Sequence, residues 1–239
     1  MAYTTRRSIV TLTTDFGLED WFVGVMKGVI LSRCPQASIV DITHQVAAGD
    51  VRAGAFALLH AHRYFPRDTV HIAVVDPGVG SDRPAIAGRT PNAMFVGPDN
   101  GVLSWALAGE EKVEMRRIQN RKLWRELVSA TFHGRDIFAP VAAHLARGGD
   151  FDDVGPRVQE WVRLPWPSPQ RGLRSWKGEI MYVDHFGNAI TNLPNLLVEC
   201  GSDEWYIAVG RRCRVPLRSF YQAAAPGCAV ALPGSCGLI

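Results

Sequence analysis

The chain has 239 residues, of which 26 are Lys or Arg and 23 are Asp or Glu, a formal net charge of +3. That length suits one large domain or one domain with a small companion, and a hydrophobic content of 47% excludes a disordered chain. The charge balance, with no basic stripe interleaved with aromatics, argues against nucleic acid as a partner. Arg116-Arg117 and Arg211-Arg212 read as solvated pairs. No apolar run approaches the ~20 residues of a membrane-spanning helix. The opening residues run directly into a strand pattern, which predicts no signal peptide. The five cysteines, Cys34, Cys200, Cys213, Cys228 and Cys236, show neither CxxC nor zinc spacing. They are expected as reduced thiols in a cytoplasmic protein.

Strands and helices alternate through the first half. Ser8–Thr14 reads as a strand. Asp20 is placed to cap a helix burying Phe22, Val25, Met26, Val29 and Ile30, and Pro35 stops it. Ser38–Ile42 is the next strand, and Asp50 caps a second helix with Val51, Ala55, Leu58, Leu59 and His62 on one side. Thr69–Val75 is short, apolar and rich in β-branched residues, as a buried strand should be. Met94–Gly97 and Val113–Ile118 are further candidate strands, and Arg135–Arg147 a helix. This order predicts an α/β fold, a mostly parallel sheet with flanking helices, over residues 1–150. Four prolines and two tryptophans, with Trp176 just beyond, then mark a linker or wrapping segment over 151–175. Residues 176–239 carry strand-like runs at 178–184, 205–209 and 229–232 with little helix, so a smaller all-β C-terminal domain is expected.

Chemistry-bearing residues gather where strands end. Asp15 follows the first strand, His44 the second and Asp76 the third; Asp99 and Asn100 follow the fourth, and His133 and Asp136 open the last helix of the first domain. Asp76 enters a turn with Pro77, Gly78, Gly80 and Ser81, and Arg83 lies seven residues on. Carboxyl ends of strands are where open α/β sheets place ligands, and glycines there allow close approach to backbone. In the second domain Asp184, Phe186, Asn188 and Tyr221 offer acceptors, an amide and ring faces, although the Asp184–Asn188 stretch equally reads as a plain hairpin turn. There is no GxGxxG after the first strand, no GxxxxGK[ST], no HExxH and no GxSxG. One alternative is a metallohydrolase that draws ligands from Asp15, His44, Asp76, Asp99, His133 and Asp136, without short two-ligand spacing to support it. Another is a non-catalytic binding module.

The order of motifs is specific. Thr14-Asp15-Phe16-Gly17, Val23–Gly28, Val40–His44, Tyr64-Phe65-Pro66, Val75–Ser81, Pro98–Gly101, Phe132–Pro140 and Asp184–Asn188 follow one another from about residue 9 to the end. The chain thereby resembles the S-adenosyl-L-methionine (SAM) hydroxide adenosyltransferase family, SAM hydrolases related to fluorinase and chlorinase. The resemblance implies that SAM and water give adenosine and L-methionine, with no metal and no cofactor, SAM being the substrate. It implies a homotrimer with SAM held between the N-terminal domain of one subunit and the C-terminal domain of its neighbour. It puts the catalytic set on Asp76, Arg83 and His133, ribose binding on Asp15, and nucleoside or methionine contacts on Asp184, Phe186 and Asn188. Tyr221 and Ser235 match an adenine-stacking aromatic and a methionine-carboxylate contact. The charged triad favours water over halide as nucleophile. Family members continue past the Gly234–Ile239 turn, so the resemblance implies a C-terminal domain cut short at its end.

The implied reaction is an in-line displacement at ribose C5′ with a neutral thioether as leaving group, so no general acid is needed. Bulk water has a pKa of about 15.7, so hydroxide must be made or held locally. Arg83 and a protonated His133 are expected to lower that pKa or hold the anion, with Asp76 orienting them or accepting the proton.

Overall fold

In the computed structural model, residues 8–173, 175–199, 206–210, 213–225 and 227–239 are described. Cys200, Trp205 and the Arg211-Arg212 pair lie outside them. The chain divides into two compact units, Met1–Pro165 and Trp166–Ile239.

The first unit is built on a seven-stranded sheet. In chain order its strands are β1 (Ile9–Thr14), β2 (Ser38–Thr43), β3 (Thr69–Val74), β4 (Ala85–Arg89), β5 (Ala93–Pro98), β6 (Glu114–Arg117) and β7 (Arg157–Val158). In space they lie β2-β1-β3-β5-β4-β6-β7. β1 pairs in parallel with β2 and β3, and β3 with β5. β4 is antiparallel to β5 and β6, and β6 to β7. The sheet is therefore mixed, and the parallel half is the one the strand–helix alternation predicts. β4 has no counterpart among the expected strands: it is five residues long, follows Pro84 and contains Gly88.

Helices α1 (Phe22–Arg33) and α4 (Ala139–Ala146) pack together on one face, and α2 (Val51–His62) and α3 (Ser104–Ala108) on the other. β3 is buried along its whole length. Its Val70, Ile72 and Val74 enter the core beneath α1 and α4, while Ala73 and the following Val75 enter the core beneath α2 and α3, as alternation along a strand requires.

Two helix starts differ from each other. Asp50 caps α2, its carboxylate accepting from Ala53 N at 2.9 Å, a contact worth ~1 kcal/mol. Asp20 does not cap α1: Trp21 holds that position, without a side-chain bond, because the helix begins one residue later than an Asp20 cap would set it. The expected helix at Arg135 opens as a single π-helical turn, Gly134–Phe138, before α4. Pro140 lacks an N–H, so it cannot pair with the carbonyl of Asp136, four residues back, and that carbonyl accepts from Arg125 N at 2.9 Å.

Residues 151–165 belong to the first unit. A 3-10 turn spans Phe151–Val154, and the Trp105 indole N–H donates to the Leu164 carbonyl at 3.1 Å. Val162 N donates to Asp99 at 2.8 Å.

The second unit consists of short antiparallel pairs: β8 (Gln170–Arg171) with β9 (Trp176–Lys177), β10 (Ile180–Val183) with β11 (Ala189–Thr191), and β12 (Tyr206–Val209) with β13 (Cys213–Pro216). One short helix, α5 (Leu196–Glu199), follows β11. The strand expected at 229–232 reduces to one bridge, Leu217 to Ala231. Pro216 beside it and Pro233 beyond it cannot donate to a longer ladder.

Candidate active site

The β2-β1-β3 order means that β1 connects outward to β2 on one side while β3 lies on the other. The crevice outside the carboxyl ends of β1 and β3 is thus a topological switch point, the ligand position of open α/β sheets. Asp15 and Asp76 follow these two strands, and His44 and Asp99 follow the parallel neighbours β2 and β5.

Asp76, Arg83 and His133 are brought into one hydrogen-bonded array. Arg83 Nε donates to Asp76 Oδ1 at 2.9 Å and Oδ2 at 3.1 Å, and Arg83 Nη2 donates to Asp76 Oδ2. The same Nη2 lies 2.9 Å from His133 Nδ1, and Nη1 donates to the Pro84 carbonyl at 3.0 Å. The guanidinium stands over the Phe138 ring, 5.3 Å from its centroid. The Asp76 and Arg83 side chains are only 4% and 11% exposed, so removing either partner strands a charge, at a cost of ~3–5 kcal/mol.

The tautomer follows from donor chemistry. Arginine has no acceptor, so His133 Nδ1 presents its lone pair and the ring proton sits on Nε2. Burial, and then the Arg83 charge, push the imidazole below its ordinary pKa against the opposing pull of Asp76 and Asp136. Both the lowered pKa and the Arg83 donor at Nδ1 favour the neutral ring, with Nε2–H as a donor, over the expected protonated His133.

The turn between Asp76 and Arg83 packs on the segment that carries His133. Gly80 has φ +79°, and a Cβ there would sit 2.3 Å from the Ala130 carbonyl oxygen. Only glycine fits both the conformation and the space. Asp136, completely buried, clamps that segment. It accepts from Ser129 N at 2.8 Å and from Arg135 Nε and Nη2 at 2.6 and 2.8 Å, with Arg125 Nε 3.3 Å away. Burial alone would raise its pKa, but Arg135, Ser129 N–H and Arg125 outweigh that and hold it below the usual range.

The alternative metal set is dispersed. Asp136 is saturated by its arginines, Asp99 holds Val162 N, and His44 lies between Thr14 and Asp41, Nδ1 2.8 Å from Thr14 Oγ1 and Nε2 3.0 Å from Asp41 Oδ1. Among the described residues no three His, Cys, Asp or Glu side chains gather as a metal-binding group.

Asp15 Oδ2 accepts from Gly49 N at 2.8 Å, and Oδ1 takes no donor among the described residues. Gly49 and Thr14 are contributors the strand-end reading misses. The Gly49-Asp50 pair just before a capped helix was the available signal for the first, and Thr14 looks like an ordinary strand residue.

In the second unit Asp184, Phe186 and Asn188 share the β10–β11 turn. Asp184 Oδ1 accepts from Phe186 N and Asn188 N at 2.9 and 2.8 Å, and Oδ2 from Asn188 Nδ2 at 2.7 Å. The Asn188 side chain, and then the backbone donors, lower the Asp184 pKa. The hairpin reading therefore holds, and it presents Phe186 outward, 86% exposed. Tyr221 and Ser235 are exposed on other turns of the same unit.

The fold and the rim define an α/β unit with a charged Asp–Arg–His array at its switch point, followed by a small β-rich unit. The family model described as the SAM hydroxide adenosyltransferase N-terminal domain matches residues 10–155, and that for the C-terminal domain matches residues 178–239. The chain belongs to the SAM hydroxide adenosyltransferase family. It is 42% identical to the (R)-S-adenosyl-L-methionine hydrolase of Salinispora arenicola over 96% of this chain and 88% of that protein. It is 29% identical to the fluorinase of an Actinoplanes species over 77% of this chain and 71% of that one. A crystal structure of an uncharacterized conserved protein from Thermotoga maritima superposes with a TM-score of 0.87 at 39% identity, covering 96% of this chain and 90% of that one.

Proposed function

We propose that this protein hydrolyses S-adenosyl-L-methionine to adenosine and L-methionine by attack of hydroxide on ribose C5′, using no metal or cofactor. The observation that carries the reading is the half-buried Asp76–Arg83–His133 array at the switch point of a chain whose relatives at 40–42% identity are named (R)-SAM hydrolases. The epimer with R configuration at sulfur is therefore included as substrate.

The geometry favours holding hydroxide over making it with a strong base. His133 offers Nε2–H, a donor, while its lone pair at Nδ1 is taken by Arg83. Asp76 is doubly paired with the same guanidinium, so both of its oxygens are already engaged in holding Arg83. What remains is a fixed positive charge on one side of the His133 ring and the Nε2–H donor on the other, groups that favour an anion at the rim without reorganisation. Asp76 then orients Arg83, and the proton leaves to solvent. Hydroxide and sulfonium lose charge as they react, so a dry site helps. Asp15 holds the ribose and sets the line of attack, a positioning effect worth up to ~7–11 kcal/mol in ideal cases. Asp184, Phe186, Asn188, Tyr221 and Ser235 contact the nucleoside and methionine portions.

The proposed assembly is a homotrimer in which a neighbouring subunit completes each site, and the proposed location is the cytoplasm. Among the described residues no helix is long and apolar enough to cross a membrane, and Cys34, Cys213, Cys228 and Cys236 are unpaired. Recovered turnover on mixing Asp76→Ala and Asp184→Ala proteins under subunit exchange supports the shared site; no recovery counts against it. The test of function is incubation with each SAM epimer from pH 6 to 9, with and without EDTA, quantifying adenosine and methionine. Equimolar products, insensitive to EDTA and faster as pH rises, are expected. Turnover that disappears with EDTA and returns with Mn or Zn would move the assignment to a metallohydrolase, and binding without products to a non-catalytic module.

A further inference from the structure

Thr14, His44 and Asp41 stand in the order hydroxyl, imidazole, carboxylate. Thr14 Oγ1 is 2.8 Å from His44 Nδ1, and His44 Nε2 is 3.0 Å from Asp41 Oδ1. Lys27 Nζ closes the line on the other Asp41 oxygen at 2.5 Å. The chemical order is that of a nucleophile triad, but burial rules that use out. Thr14 has no exposed surface and the His44 residue 3%, so no substrate reaches the hydroxyl.

The line ends instead on the backbone beside Asp15. The Asp41 carboxylate lies beside Nε2 without closing a well-formed hydrogen bond to it, and a proton kept on that side leaves Nδ1 as the acceptor and Thr14 Oγ1–H as its donor. The Thr14 oxygen keeps its lone pairs and accepts from Phe16 N at 3.3 Å. The two strand-end loops are tied in the same place by backbone. Gly17 N donates to the His44 carbonyl at 2.7 Å and Val46 N to the Thr14 carbonyl at 3.4 Å. Gly49, further along the His44 loop, donates its N–H to Asp15 Oδ2. Asp15 is thus bracketed by Thr14 and Phe16, both held by the His44 network, and is touched by the loop that His44 begins.

We propose that Thr14, His44 and Asp41 are positioning residues that fix the orientation of the Asp15 carboxylate, and with it the alignment of the substrate ribose. This rests on the ribose-binding reading of Asp15. It makes the β1 and β2 ends one preorganised unit, anchored by the Lys27–Asp41 ion pair. Supporting groups of this kind hold a contact within the tolerance that alignment demands, and small misplacements cost up to ~100-fold in rate.

The experiment measures KM, kcat and adenosine affinity for Thr14→Val, Thr14→Ser, His44→Asn, His44→Gln and, as reference, Asp15→Ala. Thr14→Val is expected to raise KM and the adenosine Kd by about 10-fold or more with a smaller change in kcat, and Thr14→Ser to restore both. The amide oxygen of His44→Asn stands where Nδ1 does and keeps the Thr14 bond, whereas the amide of His44→Gln keeps only Asp41. His44→Asn is therefore expected to retain the better KM. If Thr14→Val fails to fold, the two His44 variants carry the test. A lowered melting temperature with unchanged KM in the Thr14 or His44 variants, while Asp15→Ala raises KM, overturns the positioning role and leaves the ribose reading standing. Unchanged KM and adenosine affinity in Asp15→Ala overturn both.

Discussion

The two units solve the problem of holding a functional side chain in opposite ways. In the first, Asp76, Arg83, His133 and Asp136 are held by one another and by buried backbone, on the rim of a sheet whose β3 is buried throughout. In the second, the hydrophobic residues found buried among those described are Met181, Leu193 and Val215, while Phe186, Phe220, Tyr206 and Tyr221 are exposed. There Asp184 spends its hydrogen bonds on shaping a turn that points Phe186 outward. The first unit preorganises charge, which is costly to bury and must be paired. The second displays surface, which costs little until something covers it. Substitutions in the buried pairs of the first should therefore damage chemistry and stability together, and substitutions of the side chains that the second displays should damage binding alone.

The largest effect tests the first half of that contrast. His133→Ala is expected to cut turnover by about 10²–10⁴-fold, while adenosine affinity stays within about twofold, because the ring acts on the nucleophile and not on the nucleoside. Arg83→Met should lose turnover as well, and also ~3–5 kcal/mol of stability in urea unfolding, by leaving the Asp76 carboxylate buried and unpaired. An Arg83 variant that is inactive but fully stable would show that this pair is not what holds the rim.

A smaller effect separates the units by pH. His71 in β3 is fully buried, bonded to Thr11 Oγ1 at 2.7 Å and stacked on Phe95. Burial, with the nearby His62, lowers its pKa to about 3 from an ordinary 6.5. Between those values the unfolded chain binds the proton and the folded one does not. The stability is complete above 6.5 and is lost as pH falls toward 3. At pH 4.5 the loss from this group is ~3 kcal/mol. Hydrogen exchange should show the β3 amides losing protection on acidification, and His71→Phe should flatten that dependence. Protection in β3 that is independent of pH down to 4.5 would mean that the core histidine does not set the acid limit of the first unit.

What was legible in the sequence divides along the same line. Alternating strands and helices announce the parallel half of the sheet, because a period of two against 3.6 is written locally, and Asp50 announces its cap. β4 is hidden, since its ladder with β5 and β6 is supplied by strands distant in sequence. The π-helical turn is invisible to periodicity, although Pro140 explains it once the Asp136 carbonyl is seen bonded to Arg125. At the site, strand-end acids point to a rim, and the family resemblance selects Asp76, Arg83 and His133. Their joining into one array depends on Gly80 lying against Ala130, fifty residues away, and no local pattern encodes that. The neutral state of His133 is likewise a product of its folded surroundings. In the second unit short runs between turns suffice to indicate β structure, but 229–232 fails as a strand because prolines near both it and its partner deny it a ladder.

The smallest stability effect is the sharpest test of the second half of the contrast. Phe186→Ala removes a ring that is 86% exposed at a turn whose bonds come from Asp184 and Asn188. The ring meets the neighbouring His185 edge-on at 5.5 Å but is otherwise exposed, so stability should not move beyond the ~0.5 kcal/mol typical of surface substitutions. If the ring stacks on the adenine as proposed, its loss should still weaken adenosine binding and raise KM for SAM by about 10-fold, the scale of base–aromatic stacking, with kcat little changed. Asp184→Ala on the same turn should behave differently. It removes the acceptor of three hydrogen bonds and lets the turn lose its shape, so both the melting temperature and KM should respond. A Phe186 variant that binds normally would make the exposed ring an assembly contact and not a substrate contact, a distinction read directly by comparing its oligomeric mass with its adenosine affinity.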